Sequence, residues 1–131
     1  MRLTIGDVIT ERVTFTQAQF DRFAALSGDD NPIHVDPAFA ARTRFGQTVA
    51  HGMLLYSLVA AAVGRDYPGA VQVEQDLVFP NPTPVGETVT VHLTPNGPVV
   101  DGRLRLTTLI TRSDGATVCQ GHTVLQLTEA F

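Results

Sequence analysis

Hydrophobic and polar positions follow a helical period in the first half of the chain and an alternating period in the second half. Residues Val8 to Val13 are predicted as a first strand. Thr16 with Gln19 three residues later has the form of a capping box, which predicts a helix from about Gln17 to Leu26. At helical spacing, one face of that helix carries Phe20, Phe23, Ala24 and Ser27.

The segment after the first helix is predicted to be irregular. Gly28 ends the helix, and Gly28 to His34 is predicted as a loop because Pro32 cannot continue a helix. Asp36-Pro37 fits an N-cap followed by a first helical residue, which predicts a short helix to about Arg42.

A longer helix is predicted from near His51 to near Gly64. It is apolar on almost every side, with Met53, Leu54, Leu55, Leu58, Val59, Ala61, Ala62 and Val63. A helix of this kind has to be wrapped by other structure.

The remaining residues alternate as strands do, in Val71/Val73, Val89/Val91/Leu93 and Leu104/Leu106, with turns at Asn96-Gly97 and Asp114-Gly115. Four strands after one buried helix predict an α+β fold, an antiparallel sheet curled around that helix, in a single domain of residues 1–131. So small a layer leaves a sheet edge and a helix flank uncovered, and we therefore expect a homodimer.

Composition narrows the classes of function. The net charge of −4 argues against a nucleic-acid partner. The longest apolar run, around Met53 to Val63, is well short of the roughly 18 residues of a membrane span, so we expect no membrane association. The N-terminus has no apolar stretch of signal-peptide length, and the single cysteine cannot form an internal disulfide, so we expect a cytoplasmic protein.

The chemistry is concentrated in Phe23 to His34. Activating a water for addition needs a group that takes its proton, and a nearby acid can return a proton to the product. Asp29 and His34 lie five residues apart around the rigid Pro32, close enough to hold one water, and the Asn31 amide can orient the loop or that water. The alternative is that Asp29 caps the turn and His34 is only a structural histidine.

Other titratable residues give weaker indications. His51 is expected to order the start of the long helix. Cys119 and His122 are three apart on a strand, hence on opposite faces, which excludes a Cys–His nucleophile pair. No two histidines have metal-ligand spacing, so no zinc or other metal is predicted.

One segment, Ser27-Gly-Asp-Asp-Asn-Pro-Ile-His34, resembles the signature of the MaoC-like (R)-specific enoyl-CoA hydratases and dehydratases. Proteins of this family have the hotdog fold. Residues 28–34 match every fixed position of the pattern Gly-Asp-x-Asn-Pro-x-His. Ala50-His-Gly-Met-Leu-Leu55 resembles the start of the family's central helix. Phe79-Pro80 with Pro84-Val-Gly-Glu87 is similar to the strand and turn that follow it.

The resemblance implies that Asp29 and His34 form the acid–base dyad and that the Gly52 backbone N–H is the oxyanion donor. A position at the start of a buried helix agrees, because free N–H groups and the helix dipole favour a negative oxygen there. The alternative for Gly52 is tight helix–sheet packing alone. Expected substrate contacts are Asn31, Gly52 and Met53. Some family members carry a hydroxyl after Ser57, where this chain has Val59, Ala60 and Ala61.

The resemblance therefore implies reversible hydration of trans-2-enoyl-CoA to (R)-3-hydroxyacyl-CoA, without a cofactor other than the coenzyme A of the substrate. Three alternatives stay open at this point. They are a 3-hydroxyacyl-ACP dehydratase that runs the same chemistry backwards, a hotdog acyl-CoA thioesterase, and an acyl-thioester binding module without activity.

Overall fold

The structure is a computed structural model that describes residues 8–128, so both ends of the predicted single domain lie outside the description. Its elements in chain order are β1 (Ile9–Thr14), α1 (Gln17–Ser27), α2 (Pro32–Val35), α3 (Pro37–Ala41), α4 (Gly52–Asp66), β2 (Val71–Val78), β3 (Thr88–Pro95), β4 (Arg103–Arg112) and β5 (Thr117–Gln126). Each predicted helix and strand is present, and the bounds predicted for β1, α1, α3 and α4 differ from the observed ones by at most two residues.

The five strands form one antiparallel sheet in the order β1-β3-β4-β5-β2. The alternation in β3 places Val89, Val91 and Leu93 at 0% exposure on the inner face. Against this face lies α4, through Leu55, Val59, Ala62 and Val63. The predicted α+β arrangement of an antiparallel sheet around a central helix is confirmed.

Local signals fixed two helix starts. The Thr16 side chain accepts from the Gln19 backbone N–H while the Gln19 side chain accepts from the Thr16 N–H, so the capping box before α1 is complete. The Asp36 carboxylate accepts from the Phe39 N–H and Pro37 occupies the first helical position of α3. Both starts are confirmed.

The prediction of a loop from Gly28 to His34 is wrong in its second half. Residues Pro32–Val35 form one helical turn, capped by the Asn31 side chain, which accepts from the Ile33 N–H at 3.1 Å. Pro32 cannot continue a helix, but it is well suited to begin one, since its missing N–H would have no partner at the first position.

The helix α4 is not covered on every side within one chain. The sheet covers the face that holds Leu55 and Val59, whereas the Met53 side chain is 54% exposed. The strand β2 lies at the edge of the sheet and carries exposed apolar side chains, among them Val71 and Val78. The sheet thus wraps one face of α4, and the uncovered helix flank and sheet edge are those that the sequence analysis expected.

Within residues 8–128, no helix has the length and apolar character that crossing a membrane requires.

Candidate active site

The predicted pair Asp29 and His34 meets in space. The Asp29 Oδ2 lies 4.0 Å from the His34 Nε2, and the two side chains are 56% and 13% exposed. This separation is too long for a direct hydrogen bond, but a water about 2.8 Å from each atom fits across it. The two groups therefore lie at a distance that one water can bridge, and the shared water itself stays a prediction.

The His34 ring is fixed by a hydrogen bond from Nδ1 to the Val49 carbonyl oxygen at 2.8 Å. Because a carbonyl oxygen only accepts, Nδ1 carries the proton in the neutral ring, and Nε2 presents its lone pair towards Asp29. The tautomer that the water site needs is thus set by the backbone of the segment before α4.

The backbone of His34 is held by Gln17, a residue that the sequence did not single out. The Gln17 Nε2 donates to the His34 carbonyl oxygen at 2.9 Å, and its Oε1 accepts from the buried Thr48 hydroxyl at 2.6 Å. A glutamine in the first turn of a helix is ordinary, so only the fold connects it with the site.

Asn31 acts on the loop more than on the water. Its side-chain oxygen is engaged in capping α2, and its backbone N–H lies 3.4 Å from the Asp29 Oδ1. Of the two roles considered for its amide, orienting the loop is the one that these contacts favour.

His51 contributes to the start of α4 only through its backbone carbonyl oxygen, which accepts from the Leu54 and Leu55 N–H groups, and not through its imidazole. Its side chain makes no cap hydrogen bond, although the residue occupies the N-cap position of α4. Its Nε2 lies 2.9 Å from the Asp29 carbonyl oxygen, and its ring stacks on that of His34 with centroids 3.8 Å apart. The two histidines are remote in sequence and adjacent in the fold.

Asp29, His34 and His51 each offer one ligand atom, and these atoms lie within 4.8 Å of one another. Spacing along the sequence could not reveal this cluster. The two rings are stacked at 22°, so their nitrogen lone pairs lie in nearly parallel planes and do not converge on one cation at the roughly 2.1 Å of a metal bond. That no metal is bound stays a prediction, and this geometry favours it.

Gly52 is the first residue of α4, where backbone N–H groups have no partner inside the helix. A Cβ on Gly52 would come within 2.9 Å of the Phe79 ring. A side chain at position 52 would therefore have to displace the Phe79 ring, which gives glycine a packing role beside the predicted oxyanion role.

A cavity of about 270 Å³ opens beside Gly52, and neither Asp29 nor His34 lines it. Its wall includes Phe45, Phe79 and the exposed Arg44, whose guanidinium lies 4.8 Å from the centre of the Phe45 ring. Met53, the other expected substrate contact, is absent from this wall.

The exclusion of a Cys–His nucleophile pair is confirmed. Cys119 is buried, and burial raises the pKa of its thiol to about 11, so the thiol stays protonated at neutral pH. His122 lies on the other face of β5, beside the carboxylate of Asp76 at 3.4 Å.

Comparisons with known proteins agree with this fold. The family model described as MaoC like domain matches residues 4–117. The (R)-specific enoyl-CoA hydratase of Aeromonas caviae is 38% identical over 128 residues, which are 95% of this chain and 96% of that protein. The mitochondrial 3-hydroxyacyl-[acyl-carrier-protein] dehydratase of Arabidopsis thaliana is 36% identical over 87 residues, 66% of this chain and 52% of that protein.

Among solved structures, the (R)-hydratase from A. caviae involved in PHA biosynthesis superposes with a TM-score of 0.90 at 38% identity. The superposition covers 95% of this chain and 97% of that one. With a family match over most of its length and the sheet and central helix of the same fold, this chain belongs to the MaoC-like family of hotdog proteins.

Proposed function

We propose that this protein is a hydro-lyase that reversibly hydrates trans-2-enoyl-CoA to (R)-3-hydroxyacyl-CoA. The observation that carries the proposal is the Asp29 carboxylate 4.0 Å from the His34 Nε2, with the histidine ring oriented by the Val49 carbonyl oxygen. These two groups form a place for one water between two proton acceptors.

The proposed step follows from that arrangement. An ionised Asp29 and a neutral His34 both accept hydrogen bonds, so the shared water donates one hydrogen to each and turns a lone pair towards the substrate. As the water oxygen bonds to the β-carbon, Asp29 takes one of its protons. That proton is then delivered to the α-carbon by the Asp29 carboxyl group or, after its transfer to Nε2, by His34. It forms the new C–H bond there, and both groups return to their starting protonation.

The Gly52 N–H is proposed to donate a hydrogen bond to the thioester carbonyl oxygen, on which negative charge develops as the enolate forms. Its place at the first position of the 15-residue α4 supports this role, because the free N–H and the helix dipole both favour an anion there. Glycine lets a carbonyl approach the backbone closely. Asn31 is proposed to support the reaction by shaping the loop, and Met53 to meet the substrate at the rim of the site.

The substrate class rests on the relatives. The similar protein of Aeromonas caviae is named an (R)-specific enoyl-CoA hydratase, and the chain matches it over nearly its whole length. A 3-hydroxyacyl-ACP dehydratase is the second candidate, favoured by the Arabidopsis thaliana relative, and it would use the same residues in the reverse direction. No cofactor is part of the proposal, and a cytoplasmic location stays a prediction.

The product tests the proposal directly. We expect crotonyl-CoA incubated with the protein in D₂O to give (R)-3-hydroxybutyryl-CoA with one deuterium at the α-carbon, seen by chiral chromatography and mass spectrometry. A product of the (S) configuration would contradict the proposed placement of water and thioester. Parallel kinetics with crotonyl-ACP decide the carrier, since a dehydratase of acyl-ACP would show the larger kcat/KM with that substrate.

A homodimer is proposed because one chain leaves parts of the structure uncovered. The edge strand β2 exposes Val71, Val73 and Val78, and one flank of α4 exposes Met53. The Asp29 side chain is 56% exposed, and the cavity of about 270 Å³ is small for an acyl thioester. We therefore place the acyl pocket at or beside the interface between two copies.

Sedimentation equilibrium at micromolar concentration should give a mass near twice 14.1 kDa. We expect Val73→Lys to weaken the dimer at least about tenfold, because a lysine on an edge strand opposes pairing with another strand. Val100→Lys is the matched control, since Val100 is 60% exposed and lies outside the edge strand. A stable wild-type monomer at this concentration would contradict the proposed homodimer.

A further inference from the structure

His51 contacts both members of the proposed dyad. Its Nε2 donates to the Asp29 carbonyl oxygen at 2.9 Å, and its ring lies face to face with that of His34, with centroids 3.8 Å apart at 22°. The residue is 2% exposed, and Phe23 packs edge-on against its ring at 4.9 Å. One buried side chain thus joins the backbone of one proposed catalytic residue to the side chain of the other.

The protonation of His51 follows from its surroundings. The carbonyl oxygen of Asp29 only accepts, so Nε2 carries the proton of the neutral ring and Nδ1 is bare. Burial is the main cause that lowers the pKa of His51 below the usual histidine value, and the neighbouring His34 adds to this lowering. A neutral His51 therefore places no charge beside the His34 ring.

Helix stability does not account for a histidine here. Residues that cap a helix accept a hydrogen bond from an N–H of its first turn, whereas His51 makes no such bond with α4. Its Nδ1 is buried without a hydrogen-bond partner among residues 8–128, which costs free energy. The presence of a histidine at position 51 is therefore explained by the contacts that its Nε2 and its ring make with Asp29 and His34.

We propose that His51 is a positioning residue that fixes the distance between Asp29 and His34, through its Nε2–H to the Asp29 backbone and its ring stacked on His34. The inference rests on the proposed function, because the distance matters only if the two residues share a water. It predicts that loss of either contact lowers kcat and leaves KM for the enoyl thioester nearly unchanged.

Two variants separate the two contacts. His51→Phe keeps a ring against His34 and removes the donor to Asp29, and we expect kcat to fall at least about tenfold with KM within about twofold. His51→Gln returns an amide N–H near the place of Nε2 without the ring, and we expect it to recover part of that loss. The order wild type, Gln, Phe is the signature of the donor.

Val63→Ala is the control for general destabilisation. Val63 is 2% exposed near the other end of α4, so its truncation lowers the melting temperature without touching the dyad. We expect it to keep wild-type kcat. The proposal is overturned if His51→Phe keeps kcat within about twofold of wild type. It is also overturned if Val63→Ala, with the same loss of melting temperature as His51→Phe, loses as much kcat as His51→Phe does.

A measurement without substrate keeps this inference separate from the proposed function. ¹⁵N NMR of the histidine rings should show His51 protonated at Nε2 alone, and His51→Phe should shift the backbone resonances of Asp29 and the ring resonances of His34. If the wild-type protein fails to hydrate enoyl-CoA while these shifts occur, the proposed function is wrong and the positioning contacts are real. Unchanged resonances at both residues overturn the positioning role itself.

Discussion

Asp29→Asn and His34→Ala each lower the kcat for crotonyl-CoA hydration by at least about 100-fold, which is the usual scale for a lost general acid or base. Asparagine keeps the shape of Asp29 but cannot take a proton from water. Alanine removes the Nε2 that faces the carboxylate at 4.0 Å. Steady-state kinetics on both variants checks the result, and a variant that keeps more than a tenth of the wild-type kcat contradicts the assignment of the dyad.

The control for the dyad is Asp30→Asn. Asp30 is exposed and lies next to Asp29, so this variant removes the same charge from the same loop while both proposed groups remain. We expect its kcat to stay within about twofold of wild type. His34→Ala also needs a thermal melt, since it loses the hydrogen bond to the Val49 carbonyl oxygen and the stack on His51.

Gly52→Ala is expected to lower kcat about 100-fold, close to the cost of losing one oxyanion donor. The N–H remains in this variant, but the added methyl group obstructs the approach of the thioester oxygen to it. The same methyl group meets the Phe79 ring at 2.9 Å, so a simple loss of packing could also reduce activity. The single variant therefore cannot separate the two roles of the glycine.

A double-mutant cycle separates them. Phe79→Ala removes the ring that the methyl group would meet, and Gly52→Ala is then measured in that background. If the oxyanion role is correct, the loss of about 100-fold persists there. If the loss disappears in the Phe79→Ala background, glycine is needed at position 52 only to pack against the ring.

The sequence predicted the elements that local chemistry decides. The capping box at Thr16 and the Asp36-Pro37 pair mark helix starts through contacts three residues apart, and both lie where they were predicted. The proximity of Asp29 and His34 could also be predicted from the sequence, because both residues belong to one short segment. The helical turn at Pro32–Val35 was missed because Pro32, unlike Pro37, was taken only as a residue that ends a helix.

The contacts that span the chain could not be predicted in this way. His34 and His51 are 17 residues apart by number in separate elements, and only the packing of α2 beside the start of α4 stacks their rings. The hydrogen bond from the Gln17 side chain to the His34 carbonyl oxygen depends in the same way on how α1 packs against α2. Alternation in the sequence identifies strands but not their order, so the edge position of β2 also required the fold.

The central claim is that water attacks the β-carbon of the enoyl thioester and not its carbonyl carbon. Both reactions would start with the thioester oxygen at the Gly52 N–H, so binding cannot distinguish a hydratase from a thioesterase. The decisive measurement follows enone absorbance and free thiol together, in one sample of crotonyl-CoA with the wild-type protein and in a second with Asp29→Asn. The account predicts that the wild-type protein removes the enone signal with no matching release of thiol, and that Asp29→Asn does so at least about 100-fold more slowly. Stoichiometric release of thiol by the wild-type protein would contradict the hydratase and leave the hotdog fold unaffected.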